Sequence, residues 1–111
     1  MQRAGGVAEK TRVLVIDDSR VMRHAVNRVL NQEYDILEAE DGEAGWEKLL
    51  SDQSVQVVIS DVQMPRLDGY SMICRIRAAD LTRIAGIPII VMTGADDDIT
   101  RERAFACGAN D

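Results

Sequence analysis

The feature that most limits how this chain can fold is an alternation of two periods. Short runs rich in β-branched residues recur along the sequence, and apolar residues spaced three to four apart fill the gaps between them. Arg12–Ile16 (RVLVI), Tyr34–Glu38 (YDILE), Val55–Ser60 (VQVVIS) and Ile87–Met92 (IPIIVM) read as strands. Ser19 is placed to cap a helix beginning at Arg20. In that helix Val21, Met22, Ala25, Val26, Val29 and Leu30 form one apolar stripe, with Arg20, Arg23, His24, Asn27 and Arg28 opposite. Asp41 caps a second helix with Gly42, Gly45, Trp46 and Leu49 on one face. Asp68 opens a third, with Gly69, Met72, Ile73 and Ile76 together. Pro88 stands near the start of the last strand, where a missing N–H is tolerated. Asp96–Asp98 favours a fourth helix start, and Gly108 is placed to end that helix as its C′ residue.

The order βαβαβαβα predicts an α/β fold: a doubly wound parallel sheet with right-handed crossovers. The chain has 111 residues, which suits one domain. Residues 1–10 show no period and read as a flexible lead, so the folded unit is expected over 11–111. Nineteen acids against thirteen Lys and Arg give a net charge of -6, which argues against direct nucleic-acid binding. No apolar run approaches the ~20 residues of a membrane span, and the first ten residues hold no signal-peptide core. Cys74 and Cys107 lack metal-ligand spacing and read as free thiols of a cytoplasmic protein. The five methionines read as packing. His24, Arg20, Arg23 and Tyr70 read as surface residues, and Trp46 as partly buried.

In parallel sheets of this kind, sites form beyond the carboxyl ends of the strands. Asp17 and Asp18 follow the first run, Asp61 the third, and Thr93 the fourth, with the small residues Gly94 and Ala95 after it. Two unit charges at about 4 Å repel by about 4 kcal/mol at an effective dielectric near 20. Three carboxylates on one rim therefore call for a divalent cation, and hard oxygen donors favour Mg²⁺ or Mn²⁺.

The motifs VLVIDDSRVMR (13–23), VVISDVQMPRLDG (57–69), PIIVMTGAD (88–96) and AFACGAND (104–111) together resemble the receiver domain of two-component response regulators. The resemblance covers nearly all of residues 11–111 and implies a flavodoxin-like fold. It implies that Asp61 accepts the phosphoryl group. Asp18 would bind Mg²⁺ directly, Asp17 through metal-bound water, and the backbone carbonyl of Gln63 would complete the protein ligands. Thr93 matches the switch hydroxyl, while Pro65 and Gly69 match the loop that shapes the site. The implied partners are a histidine kinase or phosphotransfer protein and an output domain. The implied role is a signalling domain that promotes its own phosphorylation and dephosphorylation, rather than an enzyme.

The chain departs from the family in two ways. Gly94 stands where Ala is more usual. The lysine expected past a fifth strand has no counterpart, since Lys10 and Lys48 both precede Asp61 and the chain ends at Asp111. The expected sheet order is therefore 2-1-3-4, without the fifth strand and helix. The expected reading is a receiver cut short before its fifth strand, and the alternative a chain that completes its sheet through a partner. For the chain as it stands, weak phosphorylation is expected from the missing cation and self-association from the open sheet edge. A phosphorylation-independent pseudo-receiver is the alternative that the missing lysine favours. A phosphatase of the haloacid dehalogenase type needs Asp-x-Asp after its first strand. The chain has Asp17-Asp18 there, and Asp61-Val62-Gln63 lacks the second acid.

Overall fold

The structure is a computed structural model and describes residues 10–61, 69–92, 108 and 110. The elements run β1 (Thr11–Ile16), α1 (Arg20–Leu30), β2 (Tyr34–Ala39), α2 (Gly42–Ser51), β3 (Val55–Asp61), α3 (Gly69–Arg77), α4 (Thr82–Ala85) and β4 (Ile89–Met92). The four strands form one sheet in the order β2-β1-β3-β4, and every pairing is parallel. This is the expected doubly wound order. The chain steps from β1 outward to β2, then back across β1 to β3. Right-handed crossovers in opposite directions put α1 on one face of the sheet and α2 and α3 on the other.

β1 has a neighbour on each side, and its apolar run follows from that position. Val13, Leu14, Val15 and Ile16 are all buried. The pleat sends Leu14 and Ile16 to one face, where they join Leu49 of α2 and Met72, Ile73 and Ile76 of α3 in the core. Gly45 is what lets α2 come this close. A Cβ built there would stand 2.5 Å from Ile16 Cδ1 and 2.9 Å from Ile16 Cγ1.

The helix starts predicted at Ser19 and Asp41 are present. The Ser19 hydroxyl accepts from Met22 N at 3.2 Å, and the Asp41 carboxylate accepts from Ala44 N at 2.8 Å. The apolar stripe of α1, however, does not face the sheet. No α1 residue is buried, and Val21 and Val29 are 76% and 79% exposed. The half-buried positions are Arg23, Val26, Asn27 and Leu30, a face of mixed polarity. That rotation holds because Glu38 on β2 meets the polar half: Arg23 Nε and Asn27 Nδ2 donate to its two oxygens at 3.2 and 3.1 Å. Arg23 is accordingly not the solvated residue expected of it. His24 and Arg20 are exposed and Trp46 is half-buried, as expected. Cys74 is a free, exposed thiol.

The short helix α4 had no sequence signal, although its Ile84 is fully buried. β4 begins at Ile89 rather than Ile87, with the Pro88 carbonyl accepting from Val58 N at 2.9 Å. On the outer side of β4, Asn110 takes both main-chain groups of Ile89. Its N–H donates to Ile89 O at 2.9 Å, and its Oδ1 accepts from Ile89 N at 2.8 Å. Gly108 has a φ of 116°, the left-handed conformation foreseen for a C′ glycine. Arg77 packs against it. The Arg77 guanidinium donates to the carbonyls of Gly108, Ala85 and Ile87 and to Asn110 Oδ1, at 2.7 to 2.9 Å. Apart from Lys10, the lead expected over residues 1–10 lies outside the described residues, as do Asp68, Asp96–Asp98 and Cys107; of Tyr70 only the backbone is described.

Candidate metal centre

Two neighbouring strands, β1 and β3, bring the acids together. They flank the point where the order of the chain in the sheet reverses, and a crevice forms there beyond the strand ends. Asp61 is the last residue of β3, and Asp17 follows β1 directly. One carboxylate oxygen from each of Asp17, Asp18 and Asp61 can be chosen so that all lie within 4.8 Å of one another. The cluster expected at the strand ends is therefore assembled. Asp17 is buried, Asp61 half-buried and Asp18 exposed, so the group opens toward solvent on one side.

Asp17 is gripped at three points. Its N–H donates to Ala39 O at 3.1 Å, and its Oδ1 accepts from Ser19 N at 2.8 Å. Its carbonyl accepts from Arg23 Nη1 at 2.5 Å. The Ser19 bond makes an Asx-turn, which carries the chain from strand to helix within two residues. Burial pushes the Asp17 carboxyl above the ordinary Asp range, and the Asp61 charge and the Asp18 side chain add to the rise. The Ser19 N–H opposes it. With Asp17 only 3% exposed, water cannot relieve this repulsion.

A hard divalent cation fits this donor set. Every donor is a carboxylate oxygen, and a double positive charge reverses both causes of the raised Asp17 pKa. Gln63, Pro65, Thr93 and Gly94 lie outside the described residues; of Gly69 only the backbone is described. Sequence reasoning missed Arg23 and Glu38. The signal it could have used is the helical spacing of Arg23, Val26, Asn27 and Leu30, together with an acid on β2.

The family model of the response regulator receiver domain matches residues 13–111. The chain belongs to that family. Receiver domains are signalling domains, here of two-component type. The chemotaxis protein CheY1 of Helicobacter pylori is 35% identical over 101 residues, spanning 89% of this chain and 80% of the relative. The response regulator MprA of Mycolicibacterium vanbaalenii is also 35% identical, over 90% of this receiver but only 42% of its own length. Among solved structures, a response regulator receiver protein from Pseudomonas putida superposes with a TM-score of 0.82 at 29% identity, covering 95% of this receiver and 85% of that chain. The chemotaxis response regulator CheY4 of Vibrio cholerae gives 0.81 at 28% identity, covering 90% and 82%. Among the described residues, no helix of the receiver is long and apolar enough to cross a membrane.

Proposed function

We propose that this receiver accepts a phosphoryl group on Asp61 from a phosphohistidine of a histidine kinase or phosphotransfer protein. Asp17, Asp18, Asp61 and the Gln63 carbonyl would hold Mg²⁺ or Mn²⁺. The observation that carries this reading is the convergence of three carboxylates within 4.8 Å at the ends of β1 and β3, in a chain of the receiver family.

An Asp61 oxygen attacks phosphorus in line as the bond from phosphorus to the imidazole nitrogen breaks, and the electron pair leaves with the imidazole. Mg²⁺, when bound, would supply positive charge to the phosphoryl oxygens. Asp17 and Asp18, in the turn before α1, would hold the cation together with one Asp61 oxygen, and the other Asp61 oxygen would make the attack. The Thr93 hydroxyl then donates to a phosphoryl oxygen, and this local change is what a partner or output domain reads. Water later hydrolyses the acyl phosphate and returns Asp61.

The work is done in the cytoplasm, where kinase and thiols are both found in reduced surroundings.

The deciding experiment incubates the chain with a small acyl phosphate donor and Mg²⁺ and reads added phosphate by intact mass. One phosphoryl group is expected at low occupancy, lost in D61N and lost on chelation. Labelling that persists in D61N overturns the reading. An unlabelled parent chain also overturns it and leaves a module recognised by shape alone.

A further inference from the structure

Arg23 is the one basic side chain that the described structure places against the carboxylate centre without making it a ligand. It is the fourth residue of α1, on the inward face, and its side chain is only 13% exposed. Its Nη1 donates at 2.5 Å to the Asp17 carbonyl, and its Nε pairs with Glu38 Oε1 of β2 at 3.2 Å. Asn27 Nδ2 holds the other Glu38 oxygen at 3.1 Å.

The Asp17 carbonyl belongs to the peptide that joins Asp17 to Asp18. That unit is planar, so fixing its oxygen fixes the direction in which Asp18 departs. Asp18 is the exposed member of the cluster, and its described side-chain contact is with Asp17. The peptide between them therefore governs the aim of both carboxylates.

We propose that Arg23 is a positioning residue for the metal centre. It fixes the Asp17–Asp18 peptide so that both carboxylates face the cation, and it is itself held by Glu38 and Asn27. This rests on the metal-binding reading above. It adds a relay from β2 to the site, by which the seating of Glu38 tunes cation affinity.

The test measures Mg²⁺ affinity by calorimetry on the full chain, with melting temperature in chelator recorded in parallel. Removing a partner that orients metal ligands typically weakens affinity about 10- to 100-fold, and R23A is expected within that range. R23K keeps one donor within reach of the carbonyl and recovers most of the loss. R12A is the control. Arg12 bridges Asp35 and Asp52 at the opposite end of β1, so R12A lowers the melting temperature and leaves Mg²⁺ affinity unchanged. E38A frees Arg23 from its ionic partner and weakens binding by less than R23A, which keeps the test open if R23A does not fold.

Parent-like affinity in R23A or in E38A overturns the proposal, as does an equal loss in R12A. If the parent binds Mg²⁺ and the Arg23 variants match it, only the role of Arg23 falls. If the parent binds none, the metal reading falls with it.

Discussion

Placing a methyl group at Gly45 sets two opposed effects against each other, and the geometry decides between them. In a helix interior, Ala is favoured over Gly by about 1 kcal/mol. At Gly45 the new Cβ would stand 2.5 Å from Ile16 Cδ1 and 2.9 Å from Cγ1, with Met72 Cε at 3.5 Å. Ile16 and Met72 are both fully buried, so neither has an open direction in which to yield. Overpacking of this kind costs about 1–3 kcal/mol. We expect G45A to be destabilised by up to about 2 kcal/mol after the helix gain is subtracted. I16V deletes the Cδ1 atom that makes the closest contact. In the parent it costs about 0.5–1.5 kcal/mol, as for other buried Ile-to-Val changes. In the G45A background the same change removes the closer of the two clashes and restores part of the lost stability. The coupling between the two sites should therefore reach at least about 1 kcal/mol, the range seen for residues in direct contact. Urea unfolding of the four proteins measures it, provided the m-value is constant across the set. A double variant that loses the sum of the two single losses refutes the argument. So does a G45A protein more stable than the parent by the full helix term.

Three further outcomes follow from the charges and caps. In chelator at pH 7, D17N should melt above the parent. The folded-state pKa of Asp17 is raised by burial and by its acidic neighbours, so its share of stability is greatest at low pH and is lost as pH rises through the folded pKa. A gain on the order of 1 kcal/mol corresponds to about 4–8 °C by calorimetry, and a lower melting point for D17N contradicts the account. Asp52 behaves oppositely. The Ser54 hydroxyl and N–H, and then Arg12, hold its pKa at about 2. Its contribution is therefore complete above the unfolded value near 3.9 and disappears as pH falls through about 2. D52N should cost less than about 1 kcal/mol at pH 7, since the pair is partly exposed, and progressively less as pH falls through about 2; a cost that does not change with pH is the contrary result. D41A removes the buried cap of α2 and should cost about 1 kcal/mol by urea unfolding, with an unchanged midpoint counting against the assigned cap.

Much of the site could be read from residue order because strands that end in acids fix where those acids go. Asp17, Asp18 and Asp61 are placed by the ends of β1 and β3, and no long-range information is needed once the strands are parallel. The caps at Ser19 and Asp41 are equally local. The orientation of α1 was not legible in the same way. An apolar stripe normally faces inward, yet here Val21 and Val29 point out while Arg23 and Asn27 point in. That choice depends on Glu38, which lies on another element and meets the helix only after β2 pairs with β1. α4 is four residues long and carries too little pattern for any period to appear. Arg77 presented no signal either, because its partners are carbonyls, which every residue has.

The Arg77 contacts reach beyond stability. One guanidinium at the end of α3 joins two further stretches of chain, one at Ala85 and Ile87 and one at Gly108 and Asn110. These stretches should open to solvent together in amide exchange, as a single cooperative unit with the base of α3, rather than fraying one by one. The margin of the sheet beside β4 then behaves as a latch, whose release exposes several backbone segments at once.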